Sequence, residues 1–303
     1  MTSSRAWRLP TLTAVAVRAA DATATGVLGL ALTTDGDVPG PHTAMPYYAR
    51  LVLAAMRGAQ ERGYLLLTMP SSLSPWVWLN TPLDGVIHTA PQRDDRIRAV
   101  LLRRGIPIVS EGRPPEPDLC DAWVEADHAS ALRLLLDHMA DAGALRIGVT
   151  LPTQDDDYSR ILRHTYHAWC VEHRRPQLVA DYAPLPDCVA TEQAAVHQLL
   201  SRGPGPDAVI GVYSGSGYII LAAAREHRLE VPRDLMVGCL SEDSDYSATI
   251  PPVTTVSMRP DERGVEAVDL LVSVINDRRG LNRRRRVEPM LIARQSTARA
   301  RPR

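Results

Sequence analysis

The sequence predicts an α/β protein built on two parallel sheets, and three observations carry that expectation. Apolar runs such as LRIGVTL (145–151) are continuous rather than alternating, as in strands covered on both faces. The order helix, glycine, strand recurs at Gly63, Gly105 and Gly143, and strands alternating with helices across short joints form a parallel sheet covered on both sides. The pattern yields about eleven strands, too many for one compact open sheet, so two α/β lobes are expected.

Taken in order, VLGLAL (27–32) reads as a buried strand, followed by a Gly- and Pro-rich loop that contains Asp35. Pro46 suits the first turn of a helix, which continues through YYARLVLAAMRGAQER to a stop at Gly63, with YLLLTM as the next strand. A loop holding Pro75, Trp76 and Trp78 precedes the strand LDGVIHT; RIRAVLLRR is a helix stopped at Gly105, and IPIVSEG is a strand. Val124 leads into Asp127, where the chain turns from extended to helical. Ala131, Leu134, Leu135, His138 and Met139 then recur at the spacing of one buried helical face. Gly143 supplies the left-handed residue that closes this helix.

The second half repeats the grammar. Helices are expected over 158–174, 191–200 and 218–227, between the strands QLVADYA, DAVIGVY and DLMVGCL. PPVTTVSM, ERGVEAVDLLVSVI and VEPMLIA close the chain as strand, helix, strand.

The 303 residues suffice for two sizeable cores, and 45% apolar with 23% charged residues is ordinary for a soluble globular protein. A formal charge of −1 gives no overall attraction to nucleic acid or membrane, so any DNA contact needs a local patch or a partner. Cys120, Cys170, Cys188 and Cys239 form no CxxC pair, which points to reduced thiols in the cytoplasm. No apolar run approaches the roughly 20 residues that span a bilayer. Arg5 and Arg8 ahead of LPTLTAVAV imitate a secretory signal, but Arg18 and Asp21 interrupt it. Residues 1–25 are therefore expected to be a weakly ordered leader.

In a parallel sheet, ligands sit at the carboxyl ends of the strands. Those ends carry the Asp35 loop, His88, Glu111 and Arg113, Asp127, the run Asp155-Asp156-Asp157, Tyr182, Ser214, and Glu242 with Asp243. Acids and arginines bind hydroxyls through charge-assisted hydrogen bonds, and aromatic faces cover apolar sugar faces. The mixture suits a neutral polyhydroxylated ligand.

At these residues the chain resembles the effector-binding region of LacI/GalR (lac-repressor-like) transcriptional regulators, from Gly26 to about Ala298. The matching pieces are MPYYARLVLAAMRGAQERGYLLLTM, LDGVI, RRGIPIV, VEADHASALRLLLDHMADAGALRIGVT, PDAVIGVYS, LEVPRDLMVGCLSED, PPVTTVSMRPDERGVEAVDLL and EPMLIARQSTA, in that order. The resemblance implies a type I periplasmic-binding-protein fold whose lobes are joined by three crossovers. The N-terminal lobe would be 26–128 plus 257–286 and the C-terminal lobe 129–256 plus 287–298, with 299–303 a tail. It also implies a homodimer and a sugar or related polyol as effector, bound between the lobes so as to control DNA binding.

The same resemblance implies that Tyr48, Arg113 and Asp127 are ligand-contacting positions, joined at the strand ends by His88, Tyr182, Ser214, Glu242 and Asp243. Departures are visible. Ser214 and Gly215 stand where the family often has Asn-Asp, and Cys239-Leu240-Ser241-Glu242-Asp243 replaces an aromatic followed by two aspartates. Leu162 stands at the place of an arginine, leaving Arg160 or Arg163 as substitutes. The family's helix-turn-helix, whose recognition helix enters the major groove, has no counterpart in residues 1–25, which also lack a cluster of Arg and Lys. Operator DNA is thus an expected partner only where that module is supplied upstream or by another chain. The alternative is a stand-alone solute-binding protein with no DNA role.

Several residues have a plainer role beside the functional one. Asp127 is equally an N-cap, and either Tyr47 or Tyr48 is expected to face the cleft. The triple aspartate and the tract Arg283–Arg286 are expected to be solvated loops. His164, His167, Cys170 and His173 recur every third residue but rotate through about half the helix circumference, so they cannot converge on one metal. Neither a nucleophile elbow around Ser214 and Ser216 nor a phosphate loop with lysine is present. No enzyme, cofactor or metal is expected.

Overall fold

The computed structural model describes residues 24–32, 46–153, 157–183, 187–242, 245–276 and 281–298. The first sheet contains β1 (Val27–Leu32), β2 (Leu65–Pro70), β3 (Gly85–Thr89), β4 (Ile108–Glu111), β5 (Ala122–Ala126) and β11 (Arg284–Val287). They lie in the order β11-β5-β4-β3-β1-β2, all parallel. The second holds β6 (Ile147–Pro152), β7 (Leu178–Tyr182), β8 (Ala208–Gly211), β9 (Met236–Cys239), β10 (Thr254–Ser257) and β12 (Met290–Ile292). Its order is β12-β10-β9-β8-β6-β7, with β12 alone antiparallel.

Helices cover both faces of each sheet because the strands are apolar on both. Around the first sheet, α1 (Pro46–Glu61) and α8 (Pro260–Ile275) pack on one face and α2 (Pro75–Asn80) and α3 (Arg96–Arg103) on the other. Around the second, α4 (His128–Asp141) and α5 (Asp157–Glu172) oppose α6 (Cys188–Leu200) and α7 (Ser216–Glu226). The chain passes between sheets three times, after β5, after β10 and after β11. This is the two-lobe α/β architecture with three crossovers.

The helix-glycine-strand grammar has a backbone cause: Gly63, Gly105 and Gly143 have φ of 77°, 65° and 94°, a region that costs other residues a steric penalty. Close approach explains another glycine. A Cβ on Gly264 of α8 would lie 2.5 Å from the Leu51 carbonyl oxygen and 2.9 Å from the Ala55 nitrogen of α1. The first turn of α8 is thereby seated directly on α1.

Three local expectations change. Pro75, Trp76 and Trp78 lie on a short helix rather than a loop, capped by the Ser74 hydroxyl, with Trp78 fully buried. The closing strand VEPMLIA is two strands, one in each sheet, because the chain crosses between them at residues 288–289. The tract Arg283–Arg286 is not a solvated loop: most of it is β11, an edge strand beside β5. Its side chains are engaged, Arg284 over the Trp123 ring at 4.9 Å, Arg285 with Glu266 at 2.6 Å and Arg286 with Asp127 at 2.9 Å. Charged side chains on an edge also discourage pairing with another chain.

Candidate functional site

A buried polar cluster stands where the two sheets' carboxyl edges and helix N-termini meet. Tyr47 lies in the first turn of α1, Glu111 ends β4, and Arg263 lies in the first turn of α8. The Arg263 and Glu111 side chains form an ion pair and are only 4% and 6% exposed. The Tyr47 hydroxyl donates to Glu111 at 2.6 Å and accepts from Arg263, whose guanidinium sits 5.6 Å from the ring centre. Burial pushes the Tyr47 phenol well above its ordinary pKa, against the pull of Arg263, so it stays a neutral donor. Tyr47 also packs against the cores of both lobes.

The second side of the cluster begins with His128, the first residue of α4. Burial, reinforced by the positive Arg263, holds its imidazole down to about 4, so it is neutral near pH 7. Its ring meets Tyr158 edge-on at 4.8 Å, and Tyr158 lies 5.5 Å from Tyr213. The Tyr158 hydroxyl is fixed by donating to the Val212 carbonyl at 2.7 Å. Two enclosed polar atoms, Nε of Arg263 and Nδ1 of His128, have no hydrogen-bond partner among the described residues. Such groups cost free energy unless something pairs with them. Arg263 and Glu111 cancel in charge. What remains is a set of hydrogen-bonding groups and aromatic faces without a net field.

The expected site residues fall into three groups. Tyr48 is half-buried on α1, edge-on to Tyr47 at 5.1 Å. Ser214 follows β8 and lies 3.3 Å from the Ser241 hydroxyl. Tyr182 ends β7, is 3% exposed, and its hydroxyl has no partner among the described residues. Burial, then the neighbouring Glu192, pushes its phenol pKa up.

A second group is engaged in structure. His88 is fully buried, its Nε2 3.1 Å from Asp95, the N-cap of α3. Burial alone would raise the Asp95 carboxyl, but His88 and the N–H groups of Arg98 and Ile97 outweigh it and bring it to about 2. Asp127 caps α4 by accepting from the Ser130 N–H at 2.9 Å, while its other oxygen pairs with Arg286. Burial opposes these contacts, yet they win and its pKa is lowered. Glu242 is paired with Arg294 and accepts from the Thr255 hydroxyl.

The third group is at the surface. Arg160 pairs with Asp157 on its own helix, and Arg113 is exposed just beyond Gly112. Arg163, the other substitute, pairs with Asp181 at 2.6 Å. Asp243, the Asp35 loop, Asp155 and Asp156 lie outside the described residues. Of the spaced histidines, His173 stacks on Trp169 at 4.3 Å, His167 contacts Gln177 at 2.7 Å, and Cys170 is buried. Among the described residues no helix is long and apolar enough to cross a membrane.

Sequence reasoning passed over His128 and Arg263. A signal for Arg263 was there: it falls on the apolar stripe of α8 with Gly264, Ala267, Val268 and Leu271, where a charge needs a buried partner. Glu111 was noted at its strand end, but its partner lies about 150 residues away, a distance along the chain that no local pattern reports.

Two α/β sheets joined by three crossovers, with a polar cluster at their facing edges, define a two-lobe α/β protein with its candidate site between the lobes. The family model described as periplasmic binding protein-like domain matches residues 136–297. The regulator CelR of Thermobifida fusca, described as HTH-type, is 26% identical over 243 residues, covering 77% of this chain and 70% of its own length. Among solved structures, a transcriptional regulator CelR-cellobiose complex superposes with a TM-score of 0.79 at 24% identity, covering 90% of this chain and 85% of that one. A regulatory protein of the LacI family from Chloroflexus aggregans gives 0.77 at 21% identity, with 89% and 98% covered. The chain belongs to the periplasmic binding protein-like domain family, in the form of the LacI/GalR effector-binding region. The relatives it matches are described as transcriptional regulators.

Proposed function

We propose that this chain senses a neutral polyhydroxylated effector, a sugar or related polyol, between lobes 26–128 plus 257–286 and 129–256 plus 287–298. The observation that carries the proposal is the cluster Tyr47, Glu111, Arg263, His128 and Tyr158. It offers aromatic faces, a charge-neutral ion pair and two enclosed unpartnered polar atoms at the junction of the lobes. A hydroxyl group pairs with such atoms without adding charge. In this reading Tyr48, beside Tyr47, together with Tyr182 and Ser214 would extend the contact surface, and Asp127, paired with Arg286, would link it to the hinge.

Ligand would bias the two lobes toward one relative arrangement, since it contacts both and binds one arrangement more tightly. In a cytoplasmic homodimer that change would reach operator DNA through a helix-turn-helix supplied upstream or by a partner. Exposed Leu53 and Met56 on α1 and Leu65 and Leu67 on the edge strand β2 support pairing with a second copy. Sedimentation equilibrium of the chain and its Leu65→Lys variant tests this; dimerisation lost in the variant is expected, and a monomeric parent would refute it.

Calorimetric titration tests the sensing role. Cellobiose, bound by the structural neighbour CelR, is the first ligand to try, followed by other neutral sugars. Binding that Tyr158→Ala weakens at least roughly tenfold, about 1.4 kcal/mol, is the expected result. Binding unaffected by Tyr158→Ala, His128→Ala and Arg263→Met would place the ligand elsewhere.

A further inference from the structure

Helix α6 buries four residues, of which Ala195, Val196 and Leu199 are apolar and the fourth is Glu192. Its side chain accepts from the Thr150 hydroxyl at 2.7 Å and from the Ser216 hydroxyl. Thr150 lies on β6, and Ser216 opens α7 just after β8. These strands are neighbours in the second sheet, yet β6 leads to β7 on one side and β8 to β9 on the other. Glu192 therefore bridges both walls of the crevice where the strand order reverses, the place where open parallel sheets take their ligands.

The same contacts reach the cleft surface. Ser216 Oγ also accepts the Tyr213 N–H at 3.3 Å, closing the turn that contains Ser214 and Gly215. Tyr213 in turn lies against Tyr158. Among the described residues, the titratable groups that interact with Glu192 are Tyr182 on β7 and Cys239 on β9. Burial raises both, Cys239 to about 11, so both are neutral near pH 7, and neither a phenol nor a thiol can carry a positive counter-charge.

We propose that Glu192 is a positioning residue for the effector cleft, holding the turn 213–216 in place as a neutral carboxylic acid and releasing it when ionised. Burial pushes the Glu192 carboxyl above its ordinary pKa, outweighing the two hydroxyl donors. An ionised carboxylate there has hydroxyl donors but no cation among the described residues, and it regains solvation only if the first turn of α7 opens. The cleft's second wall is thus ordered more firmly in mild acid than in mild alkali. This rests on the cleft being the effector site, but the turn's response to pH does not require a ligand.

The test is amide hydrogen exchange of residues 212–221 in the ligand-free chain and in Glu192→Gln, compared at each pH so that intrinsic exchange cancels. Gln keeps the shape and an acceptor oxygen but cannot ionise. Equal protection near pH 4, below the ordinary glutamate range, and severalfold faster exchange of the wild type near pH 8 are expected. A constant ratio across that range would overturn the proposal, because a purely structural contact does not respond to pH. Should Glu192→Gln fail to fold, the carboxyl carbon of Glu192 followed by NMR in the unmodified chain decides the matter. A midpoint above the ordinary glutamate range supports the proposal, and one within or below it refutes it. Failure to find an effector would count against the sensing role and leave these outcomes intact.

Discussion

Replacing Arg263 with methionine would leave Glu111 enclosed without its cation. Both side chains are almost wholly buried, at 4% and 6% exposure, so solvent cannot take over the guanidinium's role. Removing one member of such a pair costs about 3–5 kcal/mol, most of it the penalty of the stranded charge. The Tyr47 hydroxyl, still 2.6 Å from Glu111, offsets part of it, which favours the lower end, about 3 kcal/mol. For lobes of this size the midpoint of thermal unfolding should fall by roughly 10 °C. The double variant Arg263→Met with Glu111→Leu removes both charges and strands only the Tyr47 hydroxyl, at about 1–2 kcal/mol. A double-mutant cycle measured by urea unfolding should therefore show a coupling of about 2 kcal/mol or more. Strictly additive losses, or a cost below about 1 kcal/mol for Arg263→Met, would refute the claim that this ion pair holds the interlobe cluster together.

Other outcomes follow from the same contacts. Gly264→Val should destabilise by at least about 1–3 kcal/mol in urea unfolding, because the new side chain meets the backbone of α1 at Leu51 and Ala55, which cannot rotate away. Asp127→Ala should cost about 1 kcal/mol through loss of the α4 cap, and Asp127→Asn, which still accepts from Ser130, should recover most of it. His128 has a folded pKa of about 4, below its unfolded value. It binds fewer protons folded than unfolded, so its contribution is present above the unfolded pKa and is lost as pH falls toward about 4. Wild-type stability should drop by at most about 3 kcal/mol between about pH 7 and pH 4 relative to His128→Gln; parallel pH profiles would contradict its burial as a neutral ring.

Much of this architecture is legible in the chain because it is set by local rules. Apolar runs and glycine stops fixed the position and type of most elements, and the acid at 127 marked the start of α4, where it caps the helix. The departures have physical causes. Helix α2 is only six residues long and holds two tryptophans behind a proline, too short for a 3.6-residue period to show. Strand β11 reads as a charge run because an edge strand with aromatic and acidic neighbours tolerates arginine, and those neighbours come from distant segments. Strand-end logic singled out Tyr182 and Ser214, along with His88 and Glu242, which are held by Asp95 and Arg294. It could not tell a strand-end residue turned to the cleft from one, such as His88, consumed by a neighbouring helix cap. Arg263 and His128 lie at helix starts rather than strand ends, and their proximity follows from the two lobes meeting, a long-range event.

The central claim is that the junction between the lobes is an effector site. Thermal unfolding of the chain against a panel of monosaccharides, disaccharides, nucleosides and amino acids tests it most directly. A ligand present at about 100 times its dissociation constant adds roughly 2.7 kcal/mol, a shift of several degrees for a chain of this size. A neutral sugar or polyol should raise the midpoint by that amount, and the rise should fall to about half or less in Tyr158→Ala, the remainder expected of a roughly tenfold weaker site. No shift with any member of the panel, or a shift undiminished in Tyr158→Ala, His128→Ala and Arg263→Met alike, would contradict the account.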